Sequence, residues 1–323
     1  MYTVDDKAFE SREAELPTPT TAIEYRLADS SDVEFTYEVF LEANEELNSR
    51  LHPSIDVEDN SPAYRALAVR HSALRHDAGR FWIAETHGHI VGFGIATLRG
   101  SLWYLAALHV LPGYQSQGIG RELLQRCLTT EAPGGIRLTV TEAGQPVSNA
   151  LYGRFGMFPQ TPLVHVEGPV WTGAAASEAL TLSIIEPADC AAADLAAIDK
   201  SVFGTSRPED HECWLGMPTM AGYRLHDNGE MVGYLYLDGA GVIGPVATSE
   251  QRHLVPAIEG AVRAAADEGI ETVRARVPGP ARPALDYLLR HGFRFGPSIN
   301  LLLTSRDICT LDRYLFSGGD ALY

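Results

Sequence analysis

Apolar residues recur along this chain with two periodicities, one helical and one of two residues, and the two alternate from segment to segment. Helical spacing is seen over Val33–Leu47, where apolar side chains fall on one face. Two-residue alternation is seen over Arg80–Glu85. A short polar turn and the return strand Ile90–Thr97 follow it, which predicts a hairpin. Helices and strands that alternate in this way are typical of a mixed α/β domain.

The other elements of the first half follow from the same patterns and from turn and cap residues. Leu102–Leu111 is almost entirely apolar, so we expect a strand that is buried on both faces. Gly156 is the expected left-handed terminator of a helix. Further strands are predicted at Ile23–Leu27, Ile136–Thr141 and from Val164 onward, and further helices from Pro62 to about Asp77, over Arg121–Thr129 and over Ser148–Phe155.

Traces of an internal repeat indicate a tandem duplication. Gly88–Phe93 is similar to Gly229–Tyr234, and Tyr152–Gly156 is similar to Leu288–Gly292, in the same order. The length of 323 residues also suits two domains. We therefore predict an α/β fold (α+β, with a mixed sheet) of two tandem domains. The predicted division is a flexible tail at 1–20, a first domain at 21–171, a linker at 172–178 and a second domain at 179–323.

Composition narrows the possible functions. The formal net charge is −17, with 42 acidic and 25 basic residues, so binding to nucleic-acid phosphates is not expected. No apolar run reaches the roughly 18 residues of a membrane span, and residues 1–15 lack the layout of a signal peptide. Four widely spaced cysteines indicate neither a zinc site nor disulfides. We expect a cytoplasmic protein that needs no metal and does not bind membranes.

The segment Val110–Arg121 carries the clearest chemical signal. It reads Val-Leu-Pro-Gly-Tyr-Gln-Ser-Gln-Gly-Ile-Gly-Arg and joins the apolar strand to an amphipathic helix. Gly118 and Gly120 let the backbone bend closely around a ligand and take positive φ where needed. The loop amides and the helix N-terminus then form an anion site made of main-chain donors, which suits a diphosphate even in an acidic protein. The alternative is a loop in which the glycines only shape a turn.

The same loop carries a resemblance to a known family. Gln115-x-x-Gly118-x-Gly120, after a Val-x-Pro strand end, resembles motif A of the GCN5-related N-acetyltransferases (GNAT). Asn149–Phe158, which reads Asn-Ala-Leu-Tyr-Gly-Arg-Phe-Gly-Met-Phe, is similar to motif B of that family. The resemblance covers about residues 22–170, and residues 180–305 look like a second, degenerate copy.

The resemblance implies acetyl-CoA as cosubstrate and a role for each matching residue. Asn149 would bind the pantetheine arm, and Tyr152 would be the general acid that protonates the leaving thiolate. An un-ionised phenol suits that role, and residues three apart share a helix face. The alternatives are a helix cap for Asn149 and core packing for Tyr152. The backbone of Leu108, His109 and Val110 would pair with pantetheine, and the loop Gln115, Ser116, Gln117, Gly118, Ile119 and Gly120, with Arg121, would hold the diphosphate.

The sequence leaves open which group deprotonates the amine. We name Tyr104 beside Tyr152 as catalytic, because some family members place a catalytic side chain at that point of the strand. His109, Glu142 and a water chain are alternatives. Tyr104 and His109 differ in parity along the strand, so we expect them to face opposite sides of the sheet.

The first two helices would cover the acceptor pocket in this family. Glu45, Glu46 and His52 lie at or after the first of them, where acidic groups would suit a cationic amine. The alternative is a solvated helix face.

The second copy lacks the parts that the first one carries. No glycine loop follows Gly244–Val246, and leucines replace both polar residues of motif B when the glycine-ended helices are aligned (Leu285 and Leu288). We therefore expect no acetyl-CoA site there. Asp199–Arg207, with Trp214, either lines a substrate cleft or packs locally.

The predicted function is transfer of an acetyl group from acetyl-CoA to an amine of a small molecule or peptide, by direct attack in a ternary complex. The alternatives are a non-catalytic acyl-CoA-binding sensor, and an assembly module in which apolar segments such as Leu301–Leu303 complete a sheet or a dimer. A longer acyl group or a hydroxyl acceptor also fits. The expected state is a monomer or a homodimer.

Overall fold

The computed structural model describes residues 22–51, 63–128, 135–171 and 180–317. The predicted tail at 1–20, the predicted linker at 172–178 and His52 lie outside the described residues. The division into domains at those points therefore stays a prediction.

Strands and helices alternate through the first half as the sequence pattern indicates. A tight turn at His87 and Gly88, both with positive φ, joins two of the strands into the predicted hairpin. The elements are β1 (Glu24–Leu27), α1 (Asp32–Leu51), α2 (Ala63–His76), β2 (Phe81–Thr86), β3 (His89–Arg99), β4 (Leu102–Val110), α3 (Ile119–Leu128), β5 (Ile136–Glu142), α4 (Pro146–Arg154) and β6 (Phe158–Pro169).

The second half repeats this order of elements. Its elements are β7 (Thr181–Ile184), α5 (Ala193–Phe203), α6 (Pro208–Leu215), β8 (Met220–Asp227), β9 (Glu230–Asp238), β10 (Val242–Thr248), α7 (Leu254–Asp267), β11 (Thr272–Pro278), α8 (Arg282–Arg290), β12 (Arg294–Thr304) and β13 (Tyr314–Leu315). The predicted mixed α/β fold in two tandem units is confirmed.

All the strands lie in one continuous sheet, in the order β1-β2-β3-β4-β5-β12-β6-β11-β10-β9-β8-β7, with β13 beside β10. The two halves exchange their last long strands at the centre of this sheet. β12 of the second half pairs with β5 of the first, and β6 of the first half pairs with β11 of the second. β6 and β12 pair with each other between them. Neither half can therefore complete its sheet alone.

Leu301–Leu303 lies in this exchange. These residues pair with Thr139–Thr141 of β5, and Leu302 and Leu303 are fully buried. The apolar segment thus completes the sheet of the first half, one of the arrangements that the sequence left open.

Several predicted boundaries were wrong, among them the two that follow. The last strand of the first half begins at Phe158 and not at Val164, because Pro159 and Pro162 obscure the strand pattern. The segment 158–162 pairs with β12 alone, and prolines are tolerated where a strand has one free edge. The helix α3 begins at Ile119, two residues earlier than predicted.

Within the described ranges, no helix combines the length and the apolar character that a bilayer crossing requires.

We predict that replacing Leu302 with alanine destabilises both halves together. The side chain is fully buried on the exchanged strand, so its removal leaves a cavity that costs about 2–5 kcal/mol. Urea unfolding followed by circular dichroism should show one transition, shifted to lower urea. Ile299→Ala, on the same strand but 46% exposed, should cost less than about 1 kcal/mol. Two separate transitions would contradict the prediction.

Candidate functional site

A single extra residue in β4 opens the sheet in the first half. Ile95 and Ala96 of β3 pair with Ala107 and Leu105 of β4, so Ala106 is a bulge. β4 and β5 run parallel as partners only over Leu102–Leu105 and then separate. Residues 107–110 pair with β3 on one side and face the resulting wedge on the other. Among the described residues no strand fills this wedge.

The exposure of β4 follows this change of partners. Residues 102–106 are buried, as predicted, whereas residues 107–110 are only half-buried. The prediction of burial on both faces was therefore right for the first part of the strand and wrong for the part beside the wedge. Leu108, His109 and Val110, the predicted pantetheine-pairing residues, all lie in that second part.

The loop after β4 brings main-chain donors to the mouth of the wedge. Gln115, Ser116, Gln117 and Gly118 are exposed. Ser116 and Gly118 both have positive φ, at 62° and 86°. The first helical bond of α3 runs from Glu122 N–H to the Gly118 carbonyl at 3.1 Å. The amides before it have no acceptor within the helix, so they are available to an anion, with the helix dipole behind them.

The two motif glycines differ in their backbone conformation and in the space around a Cβ. Gly118 needs positive φ, and a Cβ placed there would point into open space. Gly120 lies inside α3 without positive φ, and a Cβ there would make ordinary contacts with Val110 and Leu151 at 3.8 and 3.9 Å. The expected need for conformational freedom is therefore found at Gly118 and not at Gly120.

The short helix α4 carries Asn149 beside the end of β5. Its Nδ2 donates to the carbonyls of Ala143 at 3.1 Å and Glu142 at 3.4 Å. These bonds fix the amide orientation, because only the NH₂ group can donate. The Oδ1 atom is buried and has no partner among the described residues. An acceptor left without a donor is costly in a folded protein, and it fits a ligand that carries an amide N–H.

Tyr152 lies one turn further along α4 and is 6% exposed. It belongs to a core cluster that includes Leu105 of β4 and Leu303 of β12. Burial raises the pKa of Tyr152 to about 12, against the opposing effect of a hydrogen bond with Ser148. The phenol therefore holds its proton throughout the physiological range.

Tyr104 and His109 lie on the same face of the sheet, contrary to the parity argument. Tyr104 belongs to the core cluster beneath α1 and α2. The His109 ring packs edge-on against Phe40 at 5.1 Å and stacks on Phe93 at 5.4 Å, two residues of that same cluster. The bulge at Ala106 lies between them and adds one residue to the strand. The two side chains therefore face the same side of the sheet although their numbers differ in parity. Tyr104 is 1% exposed.

The acidic residues of α1 differ in their surroundings. Glu45 is exposed, and Glu46 forms an ion pair with Arg50 at 3.1 Å along the helix. Leu51, at the end of α1, approaches the turn after β5, where a Cβ at Gly144 would lie 3.1 Å from Leu51 Cδ2. The end of the helix thus closes over the end of β5, where Glu142 stands.

The wedge in the second half is filled by the chain itself. β10 and β11 pair only over Val242 and Ile243, and the pairing of β10 with β9 shifts register just after this point. β13 then pairs with Val246 and Ala247 of β10, and Phe316 bridges to Arg276 of β11. The fit is tight, since a Cβ at Gly244 would clash with the Phe316 carbonyl oxygen. The place that stays open in the first half is here occupied by a strand.

Local packing is the correct interpretation of the Asp199–Arg207 stretch. Asp199, Arg207 and Trp214 are each at most 1% exposed, so they line no solvent-filled cleft. Burial acts to raise the pKa of Asp199, but His211 at 3.2 Å and Arg207 hold it below its ordinary value. Arg207 also lies over the Trp214 ring at 5.0 Å.

Sequence reasoning missed two polar residues beside the first-half site. Asn300 of β12 donates to Glu142 at 3.1 Å, and His165 of β6 contacts Asn300 at 2.5 Å. No local motif marks either residue, because the strand exchange brings them together from positions 135 residues apart.

Comparison with known proteins agrees with this fold. A candidate acetyltransferase of Pyrococcus horikoshii is 16% identical and superposes with a TM-score of 0.71 over 97% of this chain and 100% of its own. A tandem GNAT protein of the clavulanic acid biosynthesis pathway is 13% identical, with a TM-score of 0.59 over 88% and 99% of the two chains. N-myristoyltransferase of Saccharomyces cerevisiae, solved with myristoyl-CoA, is 11% identical, with a TM-score of 0.59 over 96% and 89%.

These similarities define the chain as a tandem α/β protein of the acyltransferase fold. Residues 40–157, which carry β4, the glycine loop and α4, match the model of the acetyltransferase (GNAT) family. This match lies in the first half of the chain, and the structural similarities show that the fold extends over both halves. A search of curated protein sequences found no match.

We predict that the buried phenol of Tyr152 makes the protein sensitive to alkali. The folded state keeps this proton up to about pH 12, whereas an unfolded tyrosine ionises near its ordinary pKa of 10. Its stabilising effect is therefore complete below about pH 10 and declines as the pH rises towards 12. Within that window the wild type should lose about 1.4 kcal/mol more per pH unit than Tyr152→Phe. Urea unfolding at a series of pH values measures both slopes, and parallel slopes would refute the prediction.

Proposed function

We propose that this protein transfers an acetyl group from acetyl-CoA to an amine of a small molecule or peptide. The observation that carries the proposal is the wedge between β4 and β5, with the α3 N-terminus at its mouth. The wedge offers an extended ligand a strand edge, and the helix end offers an anion its amides. A ligand that has a diphosphate at one end and amide groups along its length matches both features.

The pantetheine arm would lie along Leu108–Val110 as an added strand. Its amides would exchange hydrogen bonds with the β4 backbone, as neighbouring strands do. Asn149 Oδ1, which has no partner within the described ranges, would accept from an amide N–H of the arm. β13 supports this placement, because in the second half it fills the corresponding wedge as a strand.

The CoA diphosphate would lie on the loop Gln115–Gly120 and on the amides that begin α3. These donors are main-chain groups, so an overall charge of −17 does not oppose them at close range. Arg121 is exposed in the first turn of the helix and can add a positive charge.

Tyr152 would supply the proton for the leaving group. The ammonium group loses one proton to a base or water, and the nitrogen lone pair attacks the thioester carbonyl carbon. As the carbon–sulfur bond breaks, the nitrogen gives up its second proton to solvent. Tyr152 Oη gives its proton to the sulfur, so that CoA leaves as a thiol. The hydrogen bond with Ser148 then stabilises the Tyr152 phenolate until solvent returns a proton to Oη. Overall, acetyl-CoA and an ammonium ion yield an amide, free CoA and one released proton.

We expect Tyr152→Phe to lower kcat by about 10²–10⁴-fold, the usual contribution of a positioned acid. The KM for acetyl-CoA should stay within a factor of about 2–3, because the phenyl ring keeps its packing in the core. The measurement is release of free thiol from acetyl-CoA in the presence of ethanolamine, spermidine, tyramine or glucosamine. Tyr223→Phe, in the second half, is the control and should leave kcat unchanged. An undiminished kcat in Tyr152→Phe would rule out the acid role.

We expect Gly118→Asp to abolish CoA binding by placing a carboxylate where the diphosphate would lie. Gly88→Asp is a matched control, because both glycines have positive φ and open space around a Cβ. The two variants should therefore lose similar amounts of stability, about 1–3 kcal/mol each. Calorimetry with CoA should show one site per chain for the wild type and Gly88→Asp, and none for Gly118→Asp. Equal affinity in all three proteins would overturn the loop assignment.

A further inference from the structure

Three polar side chains stand side by side on three neighbouring strands at the centre of the sheet. Glu142 ends β5, Asn300 is its register partner on β12, and His165 lies on β6. Asn300 Nδ2 donates to Glu142 Oε2 at 3.1 Å, and His165 Nε2 lies 2.5 Å from Asn300 Oδ1. Asn300, which comes from the second half, is 8% exposed.

Elementary chemistry fixes the direction of this chain of bonds. A carboxylate only accepts, so the NH₂ group of Asn300 must face Glu142. Its Oδ1 then faces His165, which must carry a proton on Nε2 to donate. His165 holds Asn300, and Asn300 in turn holds one oxygen of Glu142.

The three side chains of Glu142, Asn300 and His165 face the same side of the sheet as His109. Leu138 and Val140 of β5 pack with the cluster beneath α1 and α2, and Glu142 has their parity. On β12, Leu302 packs with that cluster and Asn300 shares its parity. Glu142 is thus directed towards the side that α1 covers, beyond the open end of the wedge.

Glu142 is also tied to the proposed cofactor site. Its carbonyl accepts a hydrogen bond from Asn149 Nδ2 at 3.4 Å, on the residue whose Oδ1 would receive the pantetheine amide. It is the only carboxylate in β4 and β5, the two described strands that border the wedge. An amine that reaches a thioester in the wedge from the α1 side must pass this group.

We propose that Glu142 binds the ammonium group of a cationic acceptor and that Asn300 is the positioning residue that holds its carboxylate in place. The acceptor site is then shared by both halves, with the second half supplying Asn300. This inference rests on the proposed acetyl transfer and adds the charge class of the acceptor. A fixed carboxylate favours a positively charged amine over a neutral one of the same size.

The kinetic test compares cationic amines with a neutral one. Ethanolamine, spermidine and tyramine carry a charge at neutral pH, whereas methoxyamine does not. We expect Glu142→Gln and Asn300→Leu to raise the KM for the cationic amines by about 10-fold or more. The KM for methoxyamine and for acetyl-CoA should change by less than about 3-fold. Equal shifts for charged and neutral amines would overturn the proposal.

Thr304→Val is the matched control for a purely structural effect. Thr304 lies on the same strand and face as Asn300, is 4% exposed, and bonds Gln160 of β6 at 3.2 Å. Its loss should lower the unfolding midpoint without changing the ratio of cationic to neutral KM. A ratio that changes as much in Thr304→Val as in Asn300→Leu would refute the positioning role.

A spectroscopic test is independent of turnover. Long-range ¹H–¹⁵N spectra of the histidine rings, with His165 assigned through His165→Gln, should show a ring that carries a proton on Nε2. Asn300→Leu should move this signal, and Thr304→Val should not. A proton on Nδ1 alone would overturn the bonding direction and the inference. Failure of the wild type to acetylate any amine would reject the proposed function and this inference together, whereas turnover with unchanged KM ratios would reject this inference alone.

Discussion

The whole site depends on one bulge in β4. The extra residue at Ala106 ends the pairing of β4 with β5 after four residues and leaves a strand edge open at the middle of the sheet. An open edge inside a protein is costly unless something pairs with it, because its amides and carbonyls lose their partners. In the second half the chain meets that requirement with its own strand β13. In the first half, the proposed ligand would meet it.

Strand exchange makes the two halves one structural unit. β12 closes the first half and β6 closes the second, so residues 135 apart in sequence come into contact. Side-chain bonds between the halves strengthen this arrangement at a second place. Arg65 of α2 donates to Asp238 at 3.0 Å, and Arg99 donates to Asp210 at 2.8 Å, with all four residues buried. Loss of one partner of such a buried pair would leave an uncompensated charge between the halves.

Much of the fold could be predicted because the decisive signals are local. Apolar periodicity located most helices and strands, and the glycine loop marked the junction of β4 and α3. The bulge could not be predicted, since Ala106 has no feature that separates it from its neighbours, and so the relative orientation of Tyr104 and His109 was wrong. The partnership of Glu142, Asn300 and His165 was equally beyond sequence reasoning, because it depends on which strand lies beside β5. The leucines at the motif B positions of the second half are visible in the sequence, but the strand β13 in its wedge is not.

The second half carries internal contacts at the places that correspond to the two proposed binding regions of the first half. Beneath α5 and α6, the counterparts of α1 and α2, Asp199 accepts from the Tyr234 hydroxyl at 2.9 Å and contacts His211, while Arg207 donates to the same tyrosine at 2.9 Å. These groups satisfy one another in the region where the first half would receive an acceptor. Among the described residues, β13 thus occupies the wedge of the second half and this network occupies the region beneath its helices. What the second half contributes to the first is a completed sheet and, on our proposal, Asn300.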